Sequence, residues 1–113
     1  MQRIPLTVNF LRRWAAQKRK TQTVGVTGSL HDCPVANYLD QHGCRDISVG
    51  LPIIQYTDAD GCYHERRAGQ TLTRVIANVD KLRSADRGYH ALVHAGEFVA
   101  VLDKVAEMIR NGD

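Results

Sequence analysis

Three mixed cysteine–histidine pairs stand at one spacing in this chain: His31-x-Cys33, His42-x-Cys44 and Cys62-x-His64. Thiolate sulfur and imidazole nitrogen are the preferred ligands of zinc, and a structural zinc site takes four of them. A helix between Cys33 and His42 would hold the first two pairs ~15 Å apart, at ~1.5 Å per residue, so one ion cannot reach both. A metal set would therefore join one helix end to the third pair, giving His31, Cys33, Cys62 and His64. Zinc is the one cofactor the sequence raises. The plainer reading is that the thiols are small buried hydrophobes and the histidines surface residues, because the C-x₂₋₄-C spacing of zinc modules is missing.

Cys33 has a second possible chemistry. Pro34 suits the first position of a helix, where its missing N–H would be orphaned anyway, so Cys33 falls at the cap. A helix N-terminus carries partial positive charge, which stabilises a thiolate, and His31 would supply a nearby base. Cys33 and His31 are the weak catalytic candidates. Asp32 opposes a thiolate, there is no C-x-x-C, and no triad can be assigned.

Other patterns are weaker. The glycines from Gly25 to Ser29 lack both the G-x-x-x-x-G-K-[ST] and the G-x-G-x-x-G order of phosphate loops. Asp58-Ala59-Asp60-Gly61 opens like a calcium loop, yet Gly69 stands where the bidentate Glu belongs. His90 and His94 would lie ~13 Å apart along a strand, too far for one ion. Trp14 is expected in the core.

Charge is uneven along the 113 residues. Residues 1–31 hold Arg3, Arg12, Arg13, Lys18, Arg19 and Lys20 and no acid, so this end is +6 and the remainder −3. A basic end can meet nucleic acid or an acidic partner, and Arg12, Arg13, Lys18, Arg19 and Lys20 are the candidate residues. It can equally complement the negative C-terminal end of a helix. The odd cysteine count fits free thiols in a reducing compartment. No run approaches ~18 apolar residues, and Arg12 and Arg13 interrupt the only candidate leader segment. A cytoplasmic protein without membrane attachment is expected.

The elements that must position these residues follow from periodicity. Helical spacing predicts Ile4–Lys20, with Val8, Leu11, Trp14 and Ala15 inward; Pro34–His42, closed by Gly43; and Leu72–Leu82, with Thr71 as cap and Ser84–Gly88 as its end. It also predicts about 95–110, with Phe98, Val99, Leu102, Val105, Ala106 and Ile109 inward. Strand patterns cover Thr23–Thr27, Ile47–Leu51 and Tyr89–Val93. A hairpin pairs Ile53–Thr57 with Cys62–Arg66 around the Asp58–Gly61 turn. These elements predict one α+β domain over residues 1–113, a small antiparallel sheet built on the central hairpin and packed with about four helices.

No catalytic constellation is complete. The expected role is a non-enzymatic interaction module, binding a protein partner or a second copy, with the wide apolar faces of the first and last helices pointing to self-association. The alternatives are nucleic-acid binding through the basic N-terminal helix, and a thiol- or metal-dependent enzyme centred on Cys33.

Overall fold

The computed structural model describes residues 4–82 and 91–112. In chain order these form α1 (Val8–Ala16), β1 (Thr23–Val26), α2 (Pro34–Gln41), β2 (Arg45–Val49) and β3 (Ile53–Thr57). Then come β4 (Tyr63–Arg67), α3 (Gln70–Asp80), β5 (Leu92–His94) and α4 (Ala95–Arg110). The architecture is α+β, but the strands form two sheets rather than one: an antiparallel β1–β5 pair and an antiparallel β2–β3–β4 meander. Tyr89, His90 and the Ser84–Gly88 segment lie outside the described residues.

Helix α1 is shorter than its apolar periodicity. Thr7 caps it, its Oγ1 accepting the Phe10 N–H at 3.3 Å. It ends at Ala16 because the chain is needed elsewhere: the carbonyls of Lys20 and Gln22 accept the Gly96 and Ala95 N–H groups that open α4. These amides would otherwise be orphaned at the helix start. Lys18, Arg19 and Lys20 therefore follow the helix instead of extending it. Helix α3 begins two residues earlier than Thr71 suggests, with Gly69 as cap and its carbonyl accepting the Thr73 N–H.

The apolar faces of α1 and α4 cover each other, with Leu11, Phe98, Leu102 and Val105 fully buried. Trp14 packs edge-on against Tyr38 and Phe98 and donates from Nε1 to Gln41 at 2.7 Å. That pairing removes the helix faces as the ground for self-association. Ile109, assigned inward by periodicity, is 43% exposed near the end of α4, while Val101 is buried in its place. The core continues through Val35, Tyr38 and Leu39 of α2 to Ile54 and Tyr56 of β3.

One close approach ties the two sheets together. A Cβ on Gly25 would lie 2.6–2.7 Å from backbone atoms of Asp32, Cys33 and Pro34. Only glycine lets β1 come so near the start of α2. Val26 then donates its N–H to the Asp32 carbonyl, and Asn37 Nδ2 donates to the Val24 carbonyl at 2.8 Å. The intervening loop reaches across to β2, where the Leu30 carbonyl accepts the Val49 N–H at 2.7 Å. Gly25→Ala should cost about 3 kcal/mol in urea unfolding, since backbone atoms cannot give way as side-chain ends do. Gly69→Ala, where an added Cβ meets nothing within 4 Å, should cost no more than about 1 kcal/mol, the difference between Gly and Ala as a helix cap.

Candidate functional site

The four candidate metal ligands occupy separate settings. Cys33 caps α2 and is 7% exposed. His31 places Nδ1 2.6 Å from the Ile47 carbonyl, a contact in which the ring nitrogen must donate, and so is tied to the edge of β2. Cys62 is exposed in the β3–β4 turn. His64 Nε2 lies 2.7 Å from Asp58 Oδ2, and its ring stacks on Tyr56. Among the described residues no three His, Cys, Asp or Glu side chains are grouped to hold a metal ion.

Burial pushes the Cys33 thiol above the ordinary range, and the nearby Asp80 carboxylate adds to this, while the Ala36 and Val35 N–H groups at the helix start pull the other way. Desolvation outweighs the helix-end effect because the sulfur is removed from water. No hydrogen bond joins His31 to Cys33 among the described residues. Cys33 instead helps floor a groove of about 250 Å³ with Val35 and Val79, rimmed by Leu30 and Leu51, which are about half exposed. That is below the ~300–1,000 Å³ usual for small-molecule pockets. Cys44 is buried too, and its thiol is likewise held high by burial, then by Asp58 and Asp40.

The basic residues are partly committed within the fold. Arg12 pairs with Asp103 across α1 and α4, Nε to Oδ1 at 2.6 Å. Arg13 lies over the Phe10 ring, and Lys18 lies over Trp14 while donating to Gln41 Oε1. Arg19 and Lys20 are exposed beyond the helix end. The five candidates therefore do not make one helical stripe.

The strongest surface feature was not legible as a chemical motif. Asp58 donates its N–H to the Cys62 carbonyl, and Ala68 donates to the Pro52 carbonyl. With the register Ile54↔Arg66 and Tyr56↔His64, these bonds fix the parity of the ladder. Even-numbered residues of β4 bond β3, so the backbone N–H and C=O groups of Tyr63, Glu65 and Arg67 point away from the sheet. Among the described residues no strand or loop satisfies them. The opposite edge of this sheet is closed, at β2, by Leu30 and His31. The signal present in the sequence was the Asp58–Gly61 turn between two strand segments; what it lacked was which edge would be covered.

Asp58 holds the hairpin end. Its Oδ1 accepts the Asp60 and Cys62 N–H groups at 2.9 and 3.0 Å, and Oδ2 takes His64. The His64 hydrogen bond, followed by the Cys62 N–H, holds this carboxyl below the usual range. Comparison with family models, with curated proteins and with solved structures finds no match. The assignment of function therefore rests on the geometry above.

Two measurements check this site. Of the three thiols, Cys62 should react with a disulfide reagent at the rate of a model thiol, and Cys33 and Cys44 at least about tenfold more slowly until the chain unfolds. A fast Cys33 would contradict its burial. A carboxyl lowered on folding contributes stability above its unfolded pKa, ~4, and loses it as pH falls through the folded value. The stability advantage of the native chain over Asp58→Asn should therefore be full at neutral pH and shrink below about pH 4. An advantage independent of pH would refute the Asp58–His64 assignment.

Proposed function

We infer that this chain is a non-enzymatic protein-interaction module whose contact surface is the outer edge of β4. One observation carries the reading: among the described residues the outward backbone groups of Tyr63, Glu65 and Arg67 are left without partners on a regular strand. Such an edge accepts an extended segment by main-chain hydrogen bonding, with alternate side chains supplying specificity. Tyr63, 60% exposed, provides a large apolar surface beside it. Charges at Glu65 and Arg67 guard the edge against indiscriminate pairing. The reading also places the chain in a reducing compartment such as the cytoplasm, in keeping with the free thiols of Cys33, Cys44 and Cys62. No helix among the described residues is long and apolar enough to cross a membrane.

The edge can be blocked without breaking the sheet. Glu65 points its N–H outward, so Glu65→Pro removes no main-chain bond to β3, only the exposed side-chain bond from Gln55, and puts a ring where a partner strand would lie. A photo-crosslinking residue in place of Tyr63, in the full chain expressed in its own cells, should give discrete adducts heavier than 12.6 kDa. Glu65→Pro should abolish them while leaving the far-ultraviolet circular dichroism unchanged. The same probe at exposed Glu107 on α4 should give none. Adducts that survive Glu65→Pro, or equal adducts from both probes, would overturn the reading.

A further inference from the structure

The geometry points to a second copy of this chain as the occupant of the β4 edge, paired antiparallel about a two-fold axis at Arg66. This rests on the interaction reading above and adds its partner and register. Three observations converge on it.

The first is the length of the open edge. Bonding to β3 continues past the end of β4, because Ala68 donates to the Pro52 carbonyl. Gly69 is still extended, with φ −70° and ψ 179°. Outward N–H groups therefore run over Tyr63, Glu65, Arg67 and Gly69, while the Gly69 carbonyl is taken by the Thr73 N–H of α3. The centre of that run is Arg66, so a two-fold axis there uses every outward N–H.

The second is charge. Because outward residues must face outward residues, the pairing can shift only in steps that keep odd positions opposite odd positions. With the axis at Arg66, Glu65 of each chain faces Arg67 of the partner subunit, twice by symmetry. With the axis at Glu65, the two Glu65 carboxylates face each other. With the axis at His64, Glu65 faces Tyr63 of the partner subunit and Arg67 has no opposite charge. Only the Arg66 register joins opposite charges, and opposite pairs favour a register as like pairs penalise it. Arg67 has no ion pair within its own chain among the described residues, and the contacts of Glu65 with Gln55 and Tyr63 both use Oε1. The two Arg66 side chains do not oppose this. Each is drawn back over its own sheet, Nη1 donating to the Ile4 carbonyl at 2.8 Å and to Tyr56 Oη at 3.3 Å.

The third is shape. In this register Tyr63 lies over Gly69 of the partner subunit, and a Cβ at Gly69 meets nothing within 4 Å. An aromatic ring over a cross-strand glycine fills such a gap. The opposite edge of the sheet is closed by Leu30 and His31, so pairing stops at two copies. The product is one continuous sheet built from two meanders, an isologous dimer that cannot propagate as a fibre.

Sedimentation equilibrium of the full chain tests this. The native chain should dimerise at micromolar concentration. Glu65→Arg alone and Arg67→Glu alone should each weaken the dimer about tenfold, by placing like charges opposite each other twice. Two combinations should restore it: both substitutions in one chain, and an equimolar mixture of the two single variants, in which every 65–67 pair is again opposite. A native chain that stays monomeric at all concentrations, or single variants whose losses neither combination restores, would overturn the proposal. A monomer whose Tyr63 probe still gives Pro-sensitive adducts with another protein would refute the second copy and leave the interaction reading standing. A monomer with no adducts would refute both.

Discussion

The contact on which the rest of this structure depends is the approach of Gly25 to the backbone of Asp32, Cys33 and Pro34. It brings β1 against the first turn of α2, and the loop from Gly28 to Asp32 has to arch outward to make the connection. Arching outward, the loop lays Leu30 and His31 along β2 and covers that edge of the three-stranded sheet, taking the Val49 N–H and the Ile47 carbonyl. Edges are normally covered, charged or shortened because unpaired main-chain groups invite other strands. Here one edge is covered by the consequence of a single glycine. The other carries alternating charge and stays open among the described residues. The asymmetry between the two edges is what turns a small sheet into a surface with one direction of growth.

Residues that look chemical in the sequence do structural work. Cys33 caps α2 and floors a small apolar groove, where burial suppresses the thiolate that a helix N-terminus would favour. His31 serves as an edge clamp. His64 stacks on Tyr56 and holds the Asp58 carboxylate that also accepts two turn amides. His42 lies with Nδ1 2.7 Å from the Tyr38 carbonyl at the end of the same helix that Cys33 begins. The three pairs thus lie at helix and hairpin ends, where His31 and His42 bond backbone carbonyls and His64 bonds the turn carboxylate.

Much of the architecture was legible because it rests on short-range rules. Pro34 after Cys33 and Gly43 after His42 bound α2 correctly, and the Asp58–Gly61 turn identified the hairpin. Gly43 and Gly61 both take positive φ, at 84° and 87°. What failed were features set by distant parts of the chain. Helix α1 stops at Ala16 because α4 requires the carbonyls of Lys20 and Gln22, some seventy residues away in sequence. The apolar faces of α1 and α4 found each other, and nothing in either periodicity says so. The division into two sheets depends on β1 pairing with β5 across most of the chain. Residues Tyr63, Glu65 and Arg67 carried only a strand signal, since an edge becomes a site only through what fails to cover it.

Residue-resolved amide hydrogen exchange, followed from dilute to concentrated solution, tests the central claim most directly. The account predicts that His64 and Arg66 are protected throughout, being bonded to β3. It predicts that Glu65 and Arg67 exchange freely when dilute and gain protection as the chain is concentrated. Glu65 and Arg67 amides protected as strongly as those of His64 and Arg66 at the lowest concentration would contradict it. So would protection that rises on concentration elsewhere and leaves this edge open.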